Sequence, residues 1–254
     1  VSAQRSAGRV KALLLAAGLG TRLRPLTDTV PKCMVEIGGR PLLDYWFDAL
    51  KEAGIEDVLV NTHHLPGPVR RFLAAKNGQG FRAIEAYEPV LLGSAGTIAA
   101  NAGWADGADD IVIIYADNLS DVRIPELLRV HRAHSDPVTM VLFRAPDPRA
   151  CGIAQLDRHG RVVGFEEKPA DPKSDLANAG LYAVTAQAWR EIATLGAFDL
   201  GFDVLPRFAG RMRAFLHHGY HRDIGDLAAL DAARAAASAL LATRAPRRQE
   251  STGR

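Results

Sequence analysis

Residues 16–32 read Ala-Ala-Gly-Leu-Gly-Thr-Arg-Leu-Arg-Pro-Leu-Thr-Asp-Thr-Val-Pro-Lys, and they contain the residues best suited to chemistry. Gly18 and Gly20 permit a tight turn and close approach of a ligand to bare backbone. Arg22, Arg24 and Lys32 set fixed positive charge beside that backbone. Peptide N–H groups next to cationic side chains form a cradle for phosphate.

Two common phosphate motifs are excluded. The Gly-x-x-x-x-Gly-Lys-Ser/Thr pattern is absent, and Gly18-x-Gly20 lacks the third glycine of a dinucleotide fingerprint because position 23 is Leu23. A second candidate is Asp117, just past the apolar run 111–115. A carboxylate at the end of a buried strand is a hard oxygen ligand suited to Mg²⁺ near phosphates. Leu92-Gly93-Ser94-Ala95-Gly96-Thr97 offers small residues on whose backbone a flat base could lie.

The run from Gly18 to Lys32 resembles the signature of sugar-1-phosphate nucleotidyltransferases, Gly-x-Gly-Thr-Arg-Leu-x-Pro-Leu-Thr followed by Pro-Lys. Glu167-Lys168-Pro169, Asn178-Ala179-Gly180-Leu181-Tyr182 and the late Asp223-Ile224-Gly225 resemble further elements of that family, and together the likeness spans roughly residues 10–230. It implies a Rossmann-like nucleotidyltransferase fold. It also implies transfer of a nucleoside monophosphate from an NTP to a sugar 1-phosphate, with Mg²⁺ as cofactor. On that likeness Leu15, Ala16, Ala17, Gly18, Gly20, Thr21, Arg22, Gly93, Ser94, Ala95, Gly96 and Asp117 would hold the nucleotide. Gly152, Glu167, Lys168 and Asn178 would hold the sugar phosphate, Asp117 and Asp223 the metal, and Arg22, Lys32 and Lys168 would carry the catalysis.

Glu88-Pro89 with the Gly93–Gly96 stretch looks closer to mannose-1-phosphate guanylyltransferases than to thymidylyltransferases, which usually carry a glutamine stretch absent here. GTP with a mannose- or heptose-like 1-phosphate is therefore the first expectation. Alternatives are glucose 1-phosphate with dTTP or UTP, a cytidylyltransferase acting on a non-sugar substrate, and a non-catalytic nucleotide-sugar binder. The chain ends soon after Leu241, so no C-terminal β-helix is expected.

The elements that must position these groups alternate. Apolar runs at 12–15, 58–60, 81–86, 111–115 and 138–143 read as strands, and residues 41–50, 68–75, 97–102 and 125–134 as helices. Alternation implies an α/β sheet, mixed but mostly parallel and open, with helices on both faces. Further on, 152–156 and 161–165 read as a hairpin, 178–184 and 212–216 as strands, and 186–195, 202–208 and 227–241 as helices. One domain is expected over 10–243. Its nucleotide half is 10–145, its sugar half 146–225 and its final helix 226–243, with a flexible tail at 1–9 and a disordered one at 244–254.

A net charge of +2 on 254 residues gives no reason to expect nucleic acid or a membrane as partner. The expected partners are an NTP and a sugar 1-phosphate, and the family reading allows a homodimer. Two cysteines, Cys33 and Cys151, imply no disulfide framework and a cytoplasmic setting. Lys32 next to Cys33 could lower that thiol's pKa, though an ordinary half-buried thiol is the expectation.

Overall fold

The computed structural model describes residues 8–244. Residues 1–7 and 245–254, which make up most of the two expected tails, lie outside the described residues.

The first half is built from strands and helices in turn. They are β1 (Val10–Leu15), the ribbon β2 (Glu36–Ile37) and β3 (Arg40–Pro41), α1 (Leu42–Glu52), β4 (Asp57–Thr62), α2 (Pro66–Asn77), β5 (Arg82–Tyr87), α3 (Gly93–Ala100) and β6 (Asp110–Tyr115). A short β7 (Asn118–Ser120), α4 (Ile124–Arg132) and β8 (Val138–Arg144) follow. β1 pairs in parallel with β4 on one side and β6 on the other, and β4 pairs in parallel with β5. Successive β1 residues point to opposite faces. Ala12 and Leu14 join one buried cluster with Trp46 and Phe47, while Leu13 and Leu15 join another with Ile98 and Trp189. Burial on both faces explains why these strands are continuously apolar.

The second half contains β9 (Gly152–Leu156), β10 (Arg161–Glu167), β11 (Leu176–Thr185), α5 (Ala186–Ala193), β12 (Met212–Leu216), β13 (His221–Asp223) and α6 (Leu227–Arg244). Here the expected open, mostly parallel sheet is overturned. The strand order is β5-β4-β1-β6-β11-β8-β12-β10-β9, and β9 also pairs with β11. Strands β11, β8, β12, β10 and β9 thus close into a five-strand barrel. Among the described residues antiparallel pairings outnumber parallel ones, because β11 runs against β6, β8 and β9, and β10 against β9 and β12. The physical reason is that strand–helix alternation stops after β8. Without a crossover helix between β9 and β10, a hairpin turn reverses the chain and dictates antiparallel pairing.

One irregularity in β11 matters for the site. Its register on β8 slips between Asn178 and Tyr182, and the bulge contains Gly180 at φ 67°. A Cβ on Gly180 would stand 2.9 Å from Asn118 Nδ2 and 3.1 Å from Tyr115 Cβ. Glycine in the left-handed region therefore lets β11 lie on the residues flanking Asp117.

At the far edge of the sheet Asp57 accepts hydrogen bonds from Arg82 Nε at 2.6 Å and from Arg9 Nη2 at 2.9 Å. The Arg82 hydrogen bond, helped by Arg9 and working against partial burial, holds its carboxyl at about 2. A depressed folded pKa adds stability above the unfolded value, and that stability is lost as pH falls through the folded one. The urea midpoint of Asp57→Asn should therefore lie below wild type at pH 7, with the gap closing as pH falls from about 4 toward about 2. A gap that stays constant across this window would show that Asp57 contributes no proton-linked stability.

Candidate active site

The glycine-rich segment leaves β1 at its carboxyl end and folds as short 3₁₀ turns over Thr21–Leu23, Leu26–Asp28 and Lys32–Met34. Gly20 takes φ 64°, and a Cβ there would stand 2.9 Å from Thr27 Cγ2. Thr27, itself buried, donates its hydroxyl to the Gly20 carbonyl at 2.8 Å. His64 Nε2 donates to the Thr27 carbonyl at 3.0 Å. The loop is thus closed on itself, with Leu23 buried beneath it and Gly18, Thr21 and Arg22 exposed. A Cβ on Gly18 would meet nothing within 4 Å, so the backbone there faces open space.

Leu15, at the end of β1, and Ala17 are buried, and the Ala16 N–H donates to Asn61 Oδ1 at 2.6 Å. Asn61 Nδ2 donates to Glu88 Oε1 at 2.9 Å, and Glu88 Oε2 accepts the Leu92 N–H at 3.1 Å. Thr97 completes this buried network by donating to Glu88 Oε1. The polar groups are satisfied by one another, as burial requires. The network fixes the Gly93–Gly96 stretch relative to the first loop. That stretch is not the loop the sequence suggests, because α3 begins at Gly93 and places Ser94, Ala95 and Gly96 in its first turn.

Asp117 follows β6, and Asp223 ends β13, which pairs with β7 so that Asp223 faces Asn118. The Ile224 N–H donates to the Asp117 carbonyl at 3.0 Å. One ammonium touches both acids, with Lys32 Nζ 2.6 Å from Asp117 Oδ2 and 3.2 Å from Asp223 Oδ1. Two acids far apart in sequence are therefore neighbours in space. Burial pulls the Lys32 pKa down, but Asp117 and Asp223 outweigh it and the net shift is upward. Asp223 is raised, first by its enclosed setting and then by Asp117, against the pull of Lys32 and Arg22. Arg22 lies across Gly225, where a Cβ would stand 3.2 Å from Arg22 Nη2 and 2.7 Å from Asp223 Oδ2.

This donor set fits a hard divalent cation. Two neighbouring carboxylates, one in a turn and one ending a strand, repel each other, and their side chains are 31% and 54% exposed, which leaves room for phosphate oxygens to complete a shell. No cluster of three or more His, Cys, Asp or Glu suited to a metal occurs among the described residues, so further ligands would come from substrate or water.

The sugar-side candidates lie on β9, β10 and β11 and directly after β10. Lys168 is exposed and takes φ 49°, a left-handed conformation that is costly for a residue with a Cβ. Its N–H donates to the Cys151 carbonyl at 3.1 Å. Gly152 is buried, and a Cβ on it would collide with the Glu167 carboxylate and the Phe165 ring. Asn178 donates to Tyr182 Oη at 2.6 Å and accepts the Gly180 N–H at 3.0 Å. Glu167 is raised by burial, with Lys168 opposing and Asp199 adding to the shift. Cys151 is half-buried beside this segment. Its thiol is pushed up by burial, then by Asp147, Glu167 and Asp223, while Lys168 opposes.

The Cys33 expectation is corrected. Cys33 is 1% exposed, and burial, with Asp117 adding, drives its pKa to about 12 despite Lys32 beside it. Sequence reading also missed Asn61, Asp199 and the β7–β13 ribbon. The ribbon's strands are too short for periodicity to register, and the two side chains form their bonds only in the folded chain.

A profile of the Nucleotidyl transferase family matches residues 11–239, and the chain belongs to that family. It is 37% identical over 237 residues to a glucose-1-phosphate thymidylyltransferase from Streptomyces antibioticus, covering 86% of this chain and 64% of that one. It is 33% identical over 221 residues to a mannose-1-phosphate guanylyltransferase from Mycobacterium tuberculosis (strain ATCC 25618 / H37Rv), covering 85% and 61% respectively. The chain thus spans less than two thirds of the length of these relatives. The relatives divide between bases, so the likeness is not specific to guanylyltransferases. A crystal structure of a candidate glucose-1-phosphate thymidylyltransferase from Bacillus anthracis superimposes with a TM-score of 0.83 at 24% identity, covering 90% of this chain and 95% of that one, and shares the fold. No helix among the described residues is long and apolar enough to cross a membrane.

The burial of Cys33 has a direct readout. Iodoacetamide at pH 8 should leave Cys33 unmodified in the native protein, and mass spectrometry should find any slow adduct on the half-buried Cys151. Denaturation should expose both thiols. Rapid native labelling of Cys33 would mean that the segment carrying Lys32 opens readily.

Proposed function

We propose that this chain is a sugar-1-phosphate nucleotidyltransferase that attacks an NTP with a sugar 1-phosphate and releases pyrophosphate. The observation that carries the reading is the convergence of Lys32 with Asp117 and Asp223 beside Arg22 and the open Gly18 backbone. A sugar phosphate oxygen would form the bond to the α-phosphorus, and the bond from that phosphorus to the β-phosphate bridging oxygen would break. A phosphate monoester is largely dianionic at neutral pH, with a second pKa of about 6, so no general base is required. The protein's task is to align two polyanions and offset their repulsion.

In this reading the 18–22 backbone and Arg22 hold the triphosphate and stabilise the departing pyrophosphate. The Gly93–Gly96 turn supports the base, and Lys168, Glu167, Asn178 and the Gly152 backbone orient the sugar phosphate. Lys32 lies where the two phosphates must meet. Mg²⁺ held by Asp117 and Asp223 would neutralise phosphate charge at that point.

For the base and sugar, dTTP with glucose 1-phosphate replaces GTP as first choice. The thymidylyltransferase relative shares more identity than the guanylyltransferase, 37% against 33%. In addition, Glu88, on which the guanine expectation leaned, is 2% exposed and has both carboxylate oxygens engaged within the protein.

Pyrophosphate release should be measured for five NTPs against several sugar 1-phosphates with Mg²⁺, and dTTP with glucose 1-phosphate should give the highest kcat/KM. Lys32→Ala should lower kcat by a factor on the order of 10² to 10³ while weakening dTTP binding far less. Lost binding with unchanged turnover would remove Lys32 from the chemistry. Absence of pyrophosphate from every pair would overturn the reading.

A further inference from the structure

Residues 198–201 lie between the first turn of α3 and Glu167. On one side they are tied to the first turn of α3. The Ala95 N–H donates to the Phe198 carbonyl at 3.0 Å, Ser94 Oγ donates to Asp199 Oδ2 at 3.1 Å, and the Leu200 N–H donates to Ser94 Oγ at 2.7 Å. Gly93 is packed so closely on Phe198 that a Cβ would collide with the Phe198 carbonyl. The turn is also braced internally. Asp199 Oδ1 accepts the Phe202 N–H at 3.0 Å, and Asp203 Oδ2 accepts the N–H groups of Phe198 and Asp199 at 2.9 and 2.8 Å.

On its other side the same turn meets Glu167. A Cβ on the buried Gly201 would stand 2.7 Å from Glu167 Oε2 and 3.2 Å from Glu167 Cδ. Gly152 closes on that carboxylate from another direction. Among the described residues no hydrogen bond or ion pair holds the Glu167 side chain. It is located by shape, with Oε2 packed between two glycine backbones. The position of Gly201 is in turn fixed through Asp199 and Ser94.

We propose that Asp199 is a positioning residue. Through Ser94 it locks the 198–201 turn to the nucleotide side, and through Gly201 it sets the wall that aims Glu167 at the hydroxyls of the sugar phosphate. The proposal rests on the sugar-1-phosphate reading given above. Loss of the Asp199 carboxylate removes its bonds to Ser94 Oγ and the Phe202 N–H and so loosens the wall at Gly201 and Glu167, while the bond from the Ala95 N–H to the Phe198 carbonyl keeps the first turn of α3 in place.

The test compares wild type, Asp199→Ala and Gly201→Ala. Apparent KM for glucose 1-phosphate, kcat, the melting temperature and the dTTP dissociation constant from calorimetry with Mg²⁺ are measured for each. Loss of the hydrogen bonds at Asp199 should raise the sugar-phosphate KM about five- to tenfold, with dTTP affinity within about twofold of wild type. Gly201→Ala, which crowds Glu167 from the same wall, should give the same split. If Asp199→Ala does not fold, Gly201→Ala and Asp199→Asn carry the test. An unchanged sugar-phosphate KM, or a parallel loss of dTTP and sugar-phosphate affinity, overturns the positioning role. A wild-type chain that releases no pyrophosphate from any pair overturns the underlying reaction and this proposal with it, whereas an active wild type with unmoved variants overturns this proposal alone.

Discussion

The structure of the cleft depends on placing two carboxylates next to each other. Asp117, in the turn before β7, and Asp223, at the end of β13, are brought together by the antiparallel pairing of those two strands, and like charges so close repel. Lys32 bridges them from a stem that is 9% exposed. Burial disfavours its charge, Asp117 and Asp223 both favour it, and the net upward shift of its pKa shows that the two acids together prevail. The arrangement concentrates charge of both signs where a polyanion and a cation can exchange partners with the protein.

That concentration of charge needs a rigid base, which a single apolar cluster supplies. Leu23 from the glycine-rich segment, Leu119 two residues after Asp117 and Ile224 next to Asp223 pack together with Leu42 and Tyr45 of α1 and Leu230 and Ala233 of α6. Arg22, Asp117 and Asp223 are thus each one or two residues from a fully buried anchor. Packing at this density resists small shifts, so the relative placement of Arg22, Asp117 and Asp223 follows from burial and not from the weak, solvent-screened attraction among them. The Ala-rich composition of α6 suits the role, because small side chains let it lie close to the loop it covers.

Much of this was legible in the sequence, for reasons that also explain the rest. β1, β4 and β6 are buried on both faces, so their apolar runs identify them without periodicity, and the glycine and arginine spacing of residues 18–24 reflects backbone that must stay bare. Local pattern carries no information about which strand pairs with which. The closure of β9 on β11 rests on a single residue pair, Ala177 with Ile153, and no local pattern marks it. The β7–β13 ribbon is three residues on each side, yet it joins the two acids. The α3 boundary was misplaced because Gly93 at φ 74° looks like a loop residue, whereas its freedom is used to pass Phe198.

The barrel that replaces the expected open sheet also bears on the proposed binding of two different ligands. An open parallel sheet presents loops along one edge, all equivalent in kind. Here the parallel half does this at the carboxyl ends of β1, β4 and β6, while the barrel turns β9 and β10 so that Gly152 and Glu167 approach from the side. β11 belongs to both halves, since it pairs with β6 and with β8. Its bulge at Gly180 contacts Asn118 beside Asp117, and two residues earlier it carries Asn178 on the barrel side. Because β11 is shared, the distance between the glycine-rich segment after β1 and the barrel side is set by backbone hydrogen bonds rather than by a flexible linker. In the proposed reaction two polyanions would be joined, and that distance would have to be held against their repulsion. A hinge at this point would yield to the repulsion, and a continuous strand resists it.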